Sequence, residues 1–369
     1  GPSMPSIRLE SAPSQRPSAP TPPAPDRDDT PPPAPQPPPM PEPAPAAGPT
    51  PPVADPGPVR DAVVPAPPPL ADAEPGTVRA QPVPSAAASV RPSPKGVEKE
   101  RDWVRRSLGG RYDNAAAVVA RVLSQSPGLA GGPPGSAGEA LTDLAAMRLY
   151  LSGSTPDIDA AIRSASSGPH VPLARCATAG MRRLPSYRGG ALLRATLSDA
   201  ERAWYEEGKP VTEYSFLSAL SSVRRGLSGN TDIVLWSLTA RRTGLLAPEV
   251  PDRLVFTPGT RFKVLRVVAG DRPAVLLREL AAPEVDEAGN LCEERVPLDE
   301  IALTGLDQLH ALWKQAESDT GTPVGDPLPD EYADAFRSAP GLVQSHPGRT
   351  AGPRPPAASN TAPRRGRNQ

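Results

Sequence analysis

The residues able to do chemistry fall in a narrow part of this 369-residue chain. In Tyr187-Arg188-Gly189-Gly190 a guanidinium, whose fork suits paired oxygens, stands beside two residues that leave the backbone open to close approach. Tyr214-Ser215-Phe216-Leu217-Ser218 sets hydroxyls next to an aromatic ring. Phe256-Thr257-Pro258-Gly259-Thr260-Arg261-Phe262-Lys263-Val264 crosses a Pro-Gly turn between two apolar runs. Glu249 and Asp252 are the acids just before that turn, interleaved with Pro251 and Arg253, and Glu279 follows later. No metal centre or disulfide framework follows from the remaining residue types. Cys176 and Cys292 read as buried small apolar side chains, and His170, His310 and His346 lie far apart, outside any Cys/His ligand spacing.

Elements with a strand-like period must hold these segments. Tyr187 to Thr196, Thr212 to Ser218, Ile233 to Thr239, Arg253 to Phe256, Arg261 to Val268 and Ala274 to Leu280 are short, aliphatic or β-branched, and bounded by Gly, Pro, Asn or Asp. Cys292 to Leu303 reads as a further strand closing the sheet. Ser198 to Glu207 reads as a helix opened by a Ser198/Glu201 capping box. Upstream the period is helical: Val97 to Val104, then Asn114 to Ser126 capped by Asp113, Ser136 to Leu151, and Pro156 to Ser166. Helices followed by strands predict an α+β fold.

Composition sets the limits of that fold. Of 55 prolines, 32 precede Lys95, and no aromatic residue occurs before Trp103. Such a segment buries too little apolar surface to offset its ordering entropy. The expected organisation is a disordered Pro/Ala-rich arm over 1–96, a small helical domain over 97–167, a sheet domain over 168–316, and a mostly disordered basic tail over 317–369 with a helix at Glu331 to Ser338. From Arg349 to Gln369 the tail holds five arginines, Arg349, Arg354, Arg364, Arg365 and Arg367, and no acid, which reads as a solvated tail or a weak polyanion contact. A formal net charge of −1 argues against specific nucleic-acid binding. No run of apolar residues is long enough to cross a membrane, and the first residues carry no basic-then-apolar leader. The expectation is a cytoplasmic protein or one exported by a dedicated machine. Arginine outnumbers lysine by 35 to 5, which with the Ala and Pro bias suggests a GC-rich bacterial genome.

Taken in order and with their gaps, the three segments around Arg188, Ser218 and Pro258-Gly259 resemble the mono-ADP-ribosyltransferases of the Arg-Ser-Glu class, over about Cys176 to Leu303. The resemblance implies a mixed β-sheet domain of that family. It makes NAD the cofactor, with Arg188 on its phosphates, Tyr187 and Gly189 beside it, and Phe216 and Ser218 lining the nicotinamide pocket. A strand arginine in a surface ion pair, and a strand-end serine with Phe216 in the core, are the alternative readings. Family members carry a catalytic Glu-x-Glu before the Pro-Gly turn. Counting back from Pro258-Gly259, those positions hold Pro251 and Arg253. A guanidinium beside a developing cation reverses a favourable electrostatic term, and loss of one such group costs about 3–4 kcal/mol. Glu249 and Asp252 are the candidate substitute acids.

Three functions follow as expectations. The first is a binding or scaffold module with a degenerate NAD site and a protein partner. The second is an active, toxin-like mono-ADP-ribosyltransferase using a substitute acid on a protein target. The third is a Pro-rich interaction protein that does not bind NAD. The helices either pack over the NAD cleft or form an independent adaptor, and the sequence leaves the oligomeric state open.

Overall fold

Apolar spacing and backbone pairing give this chain a helical layer packed against one mixed sheet. The computed structural model describes residues 77–131, 136–153, 157–285, 291, 296–321 and 324–344, all within the unit Pro58–Gln369. Cys292 and His346, most of the expected arm and the five arginines from Arg349 to Arg367 lie outside the described residues.

Helix α1 (Glu98–Gln125) turns Val104, Leu108, Ala115 and Val119 inward at helical spacing. It is already running at Asp113, so the expected cap there is absent. The break in this helix falls earlier, at Gly109, whose φ of 44° only glycine adopts freely. Helix α2 (Ala137–Leu151) is buried on nearly every side, as a helix between two layers must be. Short α3 (Ile158–Arg163) follows, and then α4 (His170–Met181), which the sequence reading missed. Its first turn contains Pro172 and lacks a capping side chain, so the usual start signal is weak. A Cβ on Gly180 would lie 2.3 Å from the Asp143 carbonyl oxygen, so glycine lets α4 approach α2. Asp143 also accepts two bonds from Arg101, at 2.9 and 2.8 Å, fixing α1 on α2.

The sheet comprises β1 (Gly189–Ala195), β2 (Pro210–Glu213), β3 (Leu217–Leu220), β4 (Thr231–Ser237), β5 (Arg241–Arg242), β6 (Arg253–Phe256), β7 (Thr260–Val268) and β8 (Ala274–Glu279). Their order is β2-β7-β8-β4-β1-β3-β6-β5, and only β4 and β8 run parallel. The single strand expected over Thr212 to Ser218 is two. β2 pairs with β7 at the sheet margin, whereas β3 lies between β1 and β6. The turn between them is held by the Glu213 carboxylate, which accepts the Ser215 N–H at 3.0 Å. Helix α5 (Asp199–Trp204) has its predicted box, with Ser198 Oγ accepting from the Glu201 N–H at 3.2 Å and Glu201 accepting from the Ser198 N–H at 2.8 Å.

The strand expected over Cys292 to Leu303 is a correction. Residues from Pro297 form helix α6 (Pro297–Ser318), with Pro297 in the first turn and the Asp299 carboxylate accepting the Val296 N–H at 3.2 Å. Ala302, Leu306, Trp313 and Ala316 face inward at helical spacing, a period that the segment ending at Leu303 is too short to reveal.

Both flanks also reach into the fold. Gln81, Ala88 and Val90 are buried although they lie in the Pro-rich composition window. The Gln81 N–H donates to the Gly341 carbonyl at 2.9 Å and the Val343 N–H to that of Arg79 at 2.8 Å. After α7 (Asp330–Ala333) and one 3-10 turn, Phe336, Ala339 and Leu342 enter the core against the sheet. A second apolar cluster joins α1, α2 and α4 to Phe216, Leu246, Ala247 and Val255, so helices and sheet share packing.

Candidate functional site

Register brings the predicted serine beside Arg253. In the antiparallel β3–β6 pair Ser218 faces Val255 and Leu220 faces Arg253, so Ser218 and Arg253 are diagonal neighbours. Arg253 donates Nε and Nη2 to Ser218 Oγ at 3.2 and 2.9 Å, and Nη1 to the Leu151 carbonyl at 3.1 Å. Both side chains are buried. The guanidinium carbon lies 5.8 Å from the Tyr150 ring centre and 5.7 Å from that of Phe336. Burial lowers the Arg253 pKa, against the opposing pull of Tyr150 and Asp159. Tyr150 in turn packs on Phe216 with ring centres 4.4 Å apart, and its hydroxyl donates to Asp159 at 3.0 Å. Asp159 also accepts Ser215 Oγ at 2.8 Å.

Phe216 is held through its backbone as well. Arg163 donates Nη2 to its carbonyl at 2.8 Å, Nη1 to Ser338 at 3.0 Å and Nε to Glu213 at 3.1 Å. The sequence reading missed Tyr150, Asp159, Arg163 and Phe336. Each comes from a helix or terminal segment far from Ser218 along the chain. The one available signal was the apolar character of Leu144 to Leu151, interrupted only by Arg148, which marks a helix covered on most sides.

Tyr187, Arg188 and Gly189 lie at the opening of β1. Arg188 is exposed, and its side chain has no carboxylate partner among the described residues. Gly189 has φ of 136°, and the Tyr187 hydroxyl donates past it to the Gly190 carbonyl at 2.7 Å. A Cβ on Gly190 would lie 2.7 Å from Leu309 Cδ2, so this glycine accommodates α6 instead of leaving space for a ligand.

The candidate acids are engaged elsewhere. Glu249 accepts Arg148 Nη2 and Nη1 at 2.8 and 3.1 Å, and Arg148 holds its carboxyl below the usual range. Asp252 accepts Arg224 Nε at 3.0 Å, together with Arg224 Nη2 and the Ser222 hydroxyl. Neither has Ser218 or Arg188 as a partner. Glu279 caps the turn after β4, accepting the N–H groups of Leu238 and Thr239 at 2.6 and 2.9 Å. An open groove of about 410 Å³ lies beside this region, lined by Ser221, Ser222, Val223, Leu309, Leu312, Val324 and Gly325. It includes neither Ser218 nor Arg188. No group of three or more metal-ligating side chains occurs among the described residues, and none of their helices is long and apolar enough to cross a membrane.

Comparison with known proteins gives a local likeness. No protein-family model matches the chain. Over 106 residues, 28% of this chain, it is 30% identical to the NAD(+)-protein-arginine ADP-ribosyltransferase Tre1 of Pseudomonas putida strain GB-1. The chain spans about a fifth of that relative's length, 21%. Among solved structures it overlaps the type III effector XopAI from Xanthomonas axonopodis pv. citri at 18% identity and TM-score 0.42, covering 53% of this chain and 86% of that one. It overlaps Exoenzyme S from Pseudomonas aeruginosa, solved with human 14-3-3 protein beta and bound to Carba-NAD, at 18% identity and TM-score 0.38, covering 56% and 96%.

The residues around Ser218 do not fit NAD. Its hydroxyl is already bonded by two nitrogens of the Arg253 guanidinium, and the Phe216 face is covered by Tyr150. Of the cofactor residues expected from the sequence, Arg188 is the exposed arginine, and among the described residues no carboxylate pairs with its fork.

Proposed function

We propose that this chain is an ADP-ribosyltransferase-like module whose cofactor position is filled by its own side chains, and that it works by binding a protein partner without turning over NAD. The local identity to an ADP-ribosyltransferase and the ordered Arg188, Phe216-x-Ser218 and Pro258-Gly259 segments support the kinship. The observation that carries the loss of turnover is the bond from Arg253 to Ser218. Stabilising an oxocarbenium-like state needs a preorganised negative group, and a buried arginine offers the opposite field. The competing reading, catalysis through Glu249 or Asp252, requires acids that already sit in ion pairs.

The test uses the full-length protein with labelled NAD, alone and in bacterial and eukaryotic lysates. The expected result is neither labelled protein nor released nicotinamide. Transfer or glycohydrolysis that disappears in Arg188→Ala would overturn the proposal.

A further inference from the structure

Arg101, Arg163, Arg194, Arg224 and Arg278, all buried, each meet a carboxylate. A differently placed set stands where the chain before β1 pairs with the chain after β4. Ser186 bridges to Arg241, the Arg242 N–H donates to the Pro185 carbonyl at 2.9 Å, and the Tyr187 N–H donates to that of Ala240 at 2.7 Å. This pairing gathers Arg182, Arg188, Arg241 and Arg242 into two adjacent stretches. None of the four has a carboxylate partner among the described residues, and Arg182, Arg188 and Arg242 are exposed.

The ledge is partly preorganised. The Arg242 guanidinium lies over the Tyr187 ring, 4.6 Å from its centre, which orients the charge without neutralising it. Arg241 donates Nη1 to the Leu184 carbonyl at 2.9 Å while its Nε is shielded and unpartnered. The acids on the flanking segments are committed, Glu249 to Arg148 and Glu279 to the N–H groups of Leu238 and Thr239. Leu245, three residues after Arg242, is 45% exposed.

We propose that this ledge docks a protein segment in which acidic side chains flank an apolar one. The inference rests on the reading of the chain as a binding module and gives that module its partner class. Charge complementarity supplies the acids, since guanidinium forks take carboxylates bidentately. Leu245 supplies the apolar anchor, and arginine and tyrosine are the types that dominate binding energy at protein interfaces. A nucleic acid is less well matched, because a chain of net charge −1 adds little long-range attraction and an exposed leucine has no counterpart on a phosphate backbone.

The experiment titrates full-length protein against a fluorescent peptide of glutamates around one leucine, and against a single-stranded oligonucleotide, by anisotropy. Saturable peptide binding is expected, weakened about tenfold or more in Arg188→Glu/Arg242→Glu and unchanged in Arg121→Glu, an exposed α1 site. Far-UV circular dichroism and the melting temperature establish that each variant is folded. No saturable peptide binding, equal affinity in the ledge variant, or tighter binding of the oligonucleotide would overturn the ledge. NAD turnover with peptide binding intact would instead remove the functional reading of the preceding section and leave the ledge standing.

Discussion

Arg253 and Ser218, on neighbouring strands, form a buried bond in which one hydroxyl receives two guanidinium nitrogens at 3.2 and 2.9 Å. The same guanidinium reaches back to the Leu151 carbonyl at the end of α2 and lies between Tyr150 and Phe336. A helix upstream of the sheet and a segment downstream of it therefore close over one residue. The position that resemblance assigns to catalysis serves here to join three parts of the fold.

That role is measurable as a coupling. Ser218→Ala should destabilise by about 1.5–3 kcal/mol, the usual worth of a hydrogen bond to a charged group. Arg253→Met should cost at least as much, because it strips a donor from both Ser218 and Leu151. Measured by urea denaturation, the double variant should show a coupling of about 0.5–3 kcal/mol, as expected for residues in direct contact. Additive effects would mean that the bond does not persist in solution.

Glu213 offers a parallel case nearer the flanks. Its fully buried carboxylate accepts Gln81 Nε2 at 2.8 Å, Arg163 Nε at 3.1 Å and the Gly341 N–H at 3.1 Å, so β2, α3 and both flanking segments meet on one charge. Gln81→Ala removes a donor to Glu213 and leaves the Tyr214 N–H without its acceptor. The expected loss is about 2 kcal/mol. Hydrogen exchange should report it locally, with reduced protection at Tyr214 and Gly341 and little change in α1.

The acid dependence of stability should pass through Asp299. Burial by itself would raise this carboxyl, but hydrogen bonds from Lys263 Nζ at 2.8 Å and Arg278 Nε at 2.6 Å outweigh it and hold the pKa below the ordinary value. The folded state then binds fewer protons than the unfolded state across that interval, so stability rises with pH there. Its contribution is complete above an unfolded pKa of about 3.9 and is lost as pH falls through the lower folded value. Asp299→Asn removes the carboxylate that Lys263 and Arg278 share, while Arg278 keeps its pair with Glu284, and should cost about 3 kcal/mol at neutral pH. Urea midpoints followed toward acid should show wild type and variant converging.

What could be read in advance depended on how local the cause was. Arg253–Phe256 and the Ser198/Glu201 box were legible because a short apolar run, bounding Pro and Asp residues and a four-residue cap are all short-range signals. Counting back from Pro258-Gly259 singled out Arg253 in the sequence. What Arg253 does was not legible, since its partners come from register with β3 and from Leu151, Tyr150 and Phe336, which no spacing relates to it. The split of Thr212 to Ser218 into β2 and β3 was hidden for a similar reason. Its cause is a buried carboxylate whose partners lie in α3 and in both flanks.

Glu249 and Asp252 separate when each is replaced by its amide. The Glu249 side chain is 36% exposed and its pair with Arg148 is open to water, so Glu249→Gln should cost less than about 1 kcal/mol. Asp252 pairs with Arg224 where the two side chains are 13% and 7% exposed, and it also accepts the Ser222 hydroxyl. Asp252→Asn breaks a largely buried pair in which Arg224 additionally donates to the Asp326 carbonyl at 2.7 Å. A loss of about 3–5 kcal/mol is expected, since the guanidinium remains in place with its countercharge gone. If either acid served instead as a catalytic substitute, its amide variant would lose NAD turnover out of proportion to its stability. The expected outcome is graded denaturation midpoints, Asp252→Asn well below Glu249→Gln, with nicotinamide release at background in wild type and both variants.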